Sequence, residues 1–214
     1  MENDIIDVYR VTKTYKGVKV LDNVSVQFDF GRIHGIVGRN GSGKTMLIKA
    51  ICGLIIPDTG HVLVGGRVVG KDMDFPENIG VIIETPVFLP SESAYKNLAY
   101  LASLRGKIGR EEIYNAIRRV GLNPLEKKHV GKYSLGMRQR LGIAQAIMEN
   151  PDILILDEPM NGLDKNGVED IRRLLLEFKD EGKTIILVSH NSEDISTLCN
   201  TVYEMENGRI CPRK

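Results

Sequence analysis

The sequence predicts an α/β fold: a strand-and-helix core with an antiparallel β segment near its start, interrupted by a mostly helical insertion at about 87–150. Three observations predict it. Strand-length apolar runs at 33–37, 79–83, 153–157 and 184–189 alternate with helical patterns, as in a core of parallel strands. Val24, Val26, Phe28 and Phe30 alternate with polar residues, the period of a half-buried antiparallel strand. After Glu84 the texture changes to a loop holding Pro86 and Pro90, then helical patterns at about 92–105, 110–120 and 136–149.

In chain order, 5–11 is a short strand candidate, joined to the alternating strand through a connection containing Lys16-Gly17. The buried strand 33–37 runs straight into a glycine-rich loop. Residues 44–52 follow as a helix, with Met46, Leu47, Ile48 and Ile51 as apolar positions and Gly53 as its stop. Val62, Val64, Val68 and Val69 flank Gly65-Gly66, a hairpin pattern. Within the insertion, Ile113, Ile117 and Val120 share one helical face and Gly121 ends it. A helix near 168–180 and another near 192–199 complete the alternation.

At 214 residues the chain fits one domain with an inserted subdomain, long enough to bury a core without staples. A net charge of +1 recommends neither nucleic acid nor an anionic membrane as a direct partner. Cys52, Cys199 and Cys211 lie far apart and read as reduced thiols, not a disulfide frame or zinc site. The acidic start at 1–4 argues against a secretory signal, and no run approaches the ~20 apolar residues that cross a bilayer. Action at a membrane would therefore require docking on another protein.

The loop Gly38-Arg39-Asn40-Gly41-Ser42-Gly43-Lys44-Thr45 satisfies G-x-x-x-x-G-K-[ST], with a strand before it and a helix after. Its glycines let the backbone curl so that successive N–H groups face phosphate oxygens, and the helix adds its positive end. Lys44 then reaches the β- and γ-phosphates of ATP, and the Thr45 hydroxyl ligates Mg²⁺. This pattern points to nucleotide binding; hydrolysis needs more.

Ile153–Asp157 is an apolar strand ending in an acid, and Glu158 follows it. Carboxyl ends of parallel strands form a ligand edge. There Asp157 can hold Mg²⁺, and Glu158 can orient and deprotonate a water. A second apolar strand ends in Ser189-His190, which places a histidine at the same kind of edge.

Taken together, these residues resemble the ATP-binding cassette (ABC) ATPase family nearly end to end. The run Tyr133-Ser134-Leu135-Gly136-Met137-Arg138-Gln139-Arg140-Leu141 resembles the family's signature segment, and Asn161-Gly162-Leu163-Asp164 its D-loop. His190 resembles the switch histidine, and Tyr15 sits where the family places an aromatic against adenine. The resemblance implies a P-loop NTPase (RecA-like) core with an antiparallel β subdomain over 1–86 and 151–214, and a helical subdomain over 87–150. It implies catalytic roles for Glu158, His190 and Lys44. Nucleotide contacts fall to Tyr15, Gly38, Asn40, Gly41, Ser42, Gly43, Lys44 and Thr45, with Ser134 and Gly136 acting from a second copy. It also implies a head-to-tail homodimer around two ATP molecules, and an integral membrane permease docked on the helical subdomain, where Phe88, Leu89, Tyr95, Leu98 and Tyr100 supply apolar area, most of it expected as subdomain core with one or two exposed aromatics marking the partner groove. The chain would then lie on the cytoplasmic face of the membrane.

Two positions depart from the family pattern. Leu135 and Met137 stand where the signature has its first glycine and its glutamine, and Glu84 stands where the Q-loop has glutamine. Both departures resemble the subgroup that exports bacitracin-type and lantibiotic peptides or confers immunity to them. A carboxylate at 84 ligates Mg²⁺ more strongly than an amide, which adds Glu84 to Thr45 and Asp157 as a metal candidate; a neutral substitution is the alternative. Two other readings remain: a soluble ABC ATPase acting on ribosomes or DNA, and a non-hydrolysing ATP-gated module.

Overall fold

The computed structural model describes residues 5–213, so the acidic start at 1–4 lies outside the described residues. The described chain forms two compact units. One runs to Glu77 and resumes at Lys179; the other is Asn78–Phe178.

The first unit opens with an antiparallel sheet of β1 (Ile5–Tyr15), β2 (Val18–Asp29), β4 (Thr59–Val64) and β5 (Arg67–Val68), in the order β2-β1-β4-β5. Its inward face is Ile6, Val8 and Val11 on β1, and Leu21, Val24, Val26 and Phe28 on β2. The step from Val8 to Val11 breaks the two-residue period. A register shift there, with Arg10 in left-handed conformation (φ 48°), turns Val11 inward and leaves Arg10 exposed. The expected Lys16-Gly17 connection is a two-residue turn with both φ positive, and Gly65-Gly66 closes β4–β5 the same way.

β3 (Ile33–Val37) is buried throughout, because strands flank it on both sides: β8 (Thr184–Val188) and β9 (Thr201–Glu206), both parallel to it. β10 (Arg209–Pro212) pairs antiparallel with β9. This hairpin is absent from the sequence expectations. It turns at Asn207-Gly208, with φ 48° and 77°, the residue pair that such turns favour most. Helix α1 (Lys44–Ile51) buries Leu47, Ile48 and Ile51, and Gly53 stops it in the left-handed region. A short helix, α6 (Ser192–Leu198), lies between β8 and β9.

In the second unit β6 (Ile79–Ile82) pairs in parallel with β7 (Ile153–Asp157). Between them lie α2 (Ala94–Arg105), α3 (Arg110–Arg119) and α4 (Leu135–Ile147), all inside the segment expected to be helical; α5 (Lys165–Asp180) follows β7. Ile113, Ile117 and Val120 are buried as their spacing requires, and Gly121 ends α3 at φ 76°. A tyrosine pair, Tyr95 and Tyr114, stacks edge-on between α2 and α3 at 5.1 Å. Helix α5 begins earlier than its apolar pattern suggests. Its first residues are polar, and the start is set by Asp164, whose carboxylate accepts from the Gly167 N–H at 2.9 Å.

Among the described residues no helix is long and apolar enough to cross a membrane. All three cysteines are free, and burial pushes the Cys52 and Cys199 thiols up to about 12, which keeps them protonated and unreactive.

Candidate functional site

The glycine-rich loop links β3 to α1, and its curvature is enforced from outside. A Cβ on Gly38 (φ 149°) would lie 2.2 Å from the Met205 carbonyl oxygen and 2.8 Å from Ser42 Oγ. One on Gly43 (φ 109°) would lie 2.6 Å from the Val20 carbonyl oxygen. Both positions therefore require glycine. The β9–β10 hairpin forms the wall, and its Gly208 N–H donates to the Ser42 carbonyl at 2.9 Å. A cleft of about 430 Å³ separates part of this wall from residues 38–42. Glu204 and Glu206 border that cleft, so its charge disfavours a phosphate there.

Inside the loop, the Lys44 side chain is nearly buried, and its Nζ donates to the carbonyls of Gly38 (2.6 Å) and Arg39 (3.0 Å). Gly43 heads α1 without a side-chain cap, and the helix presents its positive end there. The Ser42 hydroxyl is buried without a hydrogen-bond partner among the described residues. An ammonium, an orphaned hydroxyl and an uncapped helix start make one cluster of donors. A polyphosphate fits it. Asn40 and Gly41 lie exposed on the rim, and Thr45 is half-buried at the second position of α1.

Two more expected residues belong to this unit. Tyr15, at the first hairpin, is 60% exposed, and Lys16 Nζ lies over one face of its ring, 5.7 Å from the centre. His190 is exposed at the end of β8. The turn beneath it is built on a buried pair that sequence reasoning did not single out: Ser189 Oγ lies 3.3 Å from the Asp194 carboxylate and accepts from the Asn191 N–H at 3.1 Å.

The second unit carries the acids. β6 and β7 are in register with Ile82 opposite Leu156, so Glu84 and Glu158 fall at equal positions two residues beyond that pair. Both have left-handed backbones, φ 60° and 51°. Glutamate rarely adopts this conformation, and such residues gather at working sites. Asp157 and Glu158 are half-buried; Glu84 is exposed. Among the described residues no three or more His, Cys, Asp or Glu converge on a metal-binding cluster. Asp157 and Glu84 in this unit, like Thr45 in the first, are hard oxygen donors of the kind Mg²⁺ takes, a cation that binds few protein ligands and completes its shell with water and phosphate.

The signature segment forms the start of α4. Ser134 is its N-cap, its hydroxyl accepting from the Met137 N–H at 3.2 Å. A Cβ on Gly136 would lie 2.9 Å from the Gly162 carbonyl, so glycine is required there too. A cleft of about 520 Å³ runs beside Ser134, Gly136, Met137, Arg140, Gly162 and Asp164. Gln139, buried on the next turn, donates through Nε2 to the Glu158 carbonyl at 3.4 Å. Sequence reasoning did not single Gln139 out, since nothing in Arg138-Gln139-Arg140 marks it as the buried one.

Of these five apolar residues, most of them expected as core of the helical subdomain, Leu98 is fully buried and Phe88 and Tyr95 are half-buried, whereas Leu89 and Tyr100 are about half exposed. Val87 at 91% and Leu104 at 80% add apolar surface that the sequence analysis did not name.

Known proteins resemble this chain in sequence and in fold. The family profile described as ABC transporter matches residues 21–161. An uncharacterized ABC transporter ATP-binding protein of Bacillus subtilis, YybJ, is 46% identical over 96% of this chain and 94% of its own length. The bacitracin transport ATP-binding protein BcrA of Enterococcus faecalis is 38% identical over 96% of this chain and 68% of its own. Among solved structures, that of MJ0796, a bacterial ABC transporter cassette determined as a dimer, superposes with a TM-score of 0.88 at 24% identity, covering 98% of both chains. With the phosphate loop, the strand-end acids and the capped signature helix in one chain, the protein belongs to the ABC transporter family.

Proposed function

We propose that this chain is the ATP-hydrolysing subunit of a transporter, working as a head-to-tail homodimer that drives an exporter of peptide antibiotics or similar compounds through separate membrane subunits. The carrying observation is the donor cluster of Lys44, Ser42 and the uncapped α1 start, which matches a triphosphate in charge and in hydrogen-bonding sense. Lys44 exchanges its loop carbonyls for β- and γ-phosphate oxygens. Asn40, Gly41 and Gly43 shape the loop around them, and Tyr15 stacks on adenine. Mg²⁺, when bound, neutralises charge on the phosphates; Thr45 and Asp157 hold it, with Glu84 supplying a further oxygen. Glu158 takes the proton of the attacking water, and His190 contacts the γ-phosphate. Ser134 and Gly136 offer the α4 start to the nucleotide held by the other copy. The export reading is supported by likeness to BcrA, and the dimer by likeness to a cassette determined as one.

The helical subdomain over 87–150 supplies the permease contact, with Leu89 and Tyr100 as its exposed apolar residues. The chain then sits peripherally on the cytoplasmic face of the membrane. Glu158→Gln tests the core of this reading. Turnover should fall about 10²–10⁴-fold, the span of general-base catalysis, while ATP still binds and brings two copies together in light scattering. Wild-type turnover in this variant would refute the base assignment. Co-purification with a hydrophobic protein from detergent-solubilised membranes checks the partner; recovery with ribosomes or DNA instead would favour the soluble alternative.

A further inference from the structure

The segment that starts α4 and the turn that follows Glu158 interlock at consecutive points, all within the second unit. Gly162 has φ 78°, and a Cβ there would lie 2.5 Å from Leu135 Cδ2 and 2.6 Å from Leu135 Cγ. The leucine side chain therefore lies directly over the bare α-carbon of Gly162. One residue further on, Gly136 leaves room for the Gly162 carbonyl, which would lie 2.9 Å from any added Cβ. One helical turn after Leu135, and so on the same face of α4, Gln139 Nε2 donates to the Glu158 carbonyl at 3.4 Å. That carbonyl also accepts from the Asn161 N–H at 3.1 Å, closing the turn between Glu158 and Gly162.

The contacts are ordered along the turn: Gln139 grips its beginning, and Leu135 covers its end. Glu158 sits at the start of this turn in a left-handed conformation that its own side chain disfavours, so its geometry depends on what holds the turn. Leu135 is about half exposed, an unusual state for a leucine. A side chain there serves no core. Its buried half meets Gly162.

We propose that Leu135 is a positioning residue for the hydrolytic step: it is a knob seated in the hole left by Gly162, and this pair holds the turn that aims Glu158. The inference rests on the reading of Glu158 as the general base. It gives the departure at position 135 a physical role, because a glycine there has no side chain to place over Gly162.

The test is a pair of substitutions in the full chain, with ATP turnover and nucleotide affinity measured separately. Gly162→Ala puts a methyl where Leu135 lies. It should lower kcat about tenfold or more, since small misplacements of catalytic groups carry large rate penalties. The KM for ATP should stay within about twofold, because the phosphate loop is untouched. Alanine at this φ also carries backbone strain, which no change at 135 relieves. Leu135→Ala in the Gly162→Ala background removes the collision, and the methyl added at 162 fills part of the space the leucine vacates, so part of the lost kcat should return. Leu135→Ala alone should lower kcat, and Leu135→Met, which keeps the volume, should not. A Gly162→Ala variant with wild-type kcat overturns the inference. So does a double variant as slow as Gly162→Ala or slower, or a loss that appears in KM instead of kcat. A wild-type chain that binds ATP without turning it over overturns the ATPase reading, and the inference with it.

Discussion

The starts of α1 and α4 are two helix N-termini proposed to meet the same triphosphate from opposite sides, and they are built on opposite plans. At α1 no side chain caps the helix, the preceding glycine is left-handed, and the Ser42 hydroxyl is buried without a partner. At α4 the Ser134 hydroxyl already accepts from the Met137 N–H. The first is preorganised: its unmet donors are held in place before any ligand arrives, which lowers the ordering cost of binding. The second is self-satisfied, so it gains less from an anion and suits a contact that must be made and broken in each cycle. A nucleotide should therefore belong to α1 and only visit α4.

The largest effect that would break this comparison is expected at Gly38. Gly38→Ala drives a methyl into the Met205 carbonyl and Ser42. The variant should lose about 2–3 kcal/mol of stability from overpacking. Its thermal midpoint should no longer rise on adding Mg-ATP. A normal ATP-induced rise would mean that the loop is not held rigidly by its wall. Next in size is Tyr15→Ala, expected to weaken ATP binding by ~1–2 kcal/mol, the range for aromatic stacking on a base. Equilibrium titration with ATP and with inorganic triphosphate separates the terms, since only ATP should weaken. Smallest is Ser134→Ala, which should cost about 1 kcal/mol in urea unfolding through loss of the cap. Nucleotide affinity of the single chain should stay unchanged while ATP-driven pairing of the Glu158→Gln chain is lost. Weakened binding in the single chain would instead make α4 a permanent part of the site.

The two starts also differ in how much the sequence revealed. The phosphate loop is legible because its chemistry is contiguous: eight successive residues carry glycines, lysine and threonine at set offsets. The wall that bends it is not, since Met205 and Gly208 reach the loop through strand pairing from the far end of the chain. The β9–β10 hairpin was nevertheless within reach, because Asn207-Gly208 between alternating segments is a strong turn signal. Around α4 the helix itself was legible, but the seat of Leu135 over Gly162 is a tertiary contact that no local period encodes. The left-handed backbones at Glu84 and Glu158 were hidden for another reason: they oppose the residues' own preference and are set by the surrounding structure. Arg10 shows the same effect in a strand, where one inserted residue resets the inward phase.

The Gly208–Ser42 contact has a consequence for how the protein is made. Residues of the phosphate loop leave the ribosome long before β9 and β10 do. Until those strands pair, the Met205 carbonyl does not press against Gly38, and the loop lacks the part of its wall that the hairpin supplies. A nascent chain thus carries the full phosphate motif before the β9–β10 side of its wall exists. Loop and wall complete each other late in synthesis, when the Gly208–Ser42 contact closes.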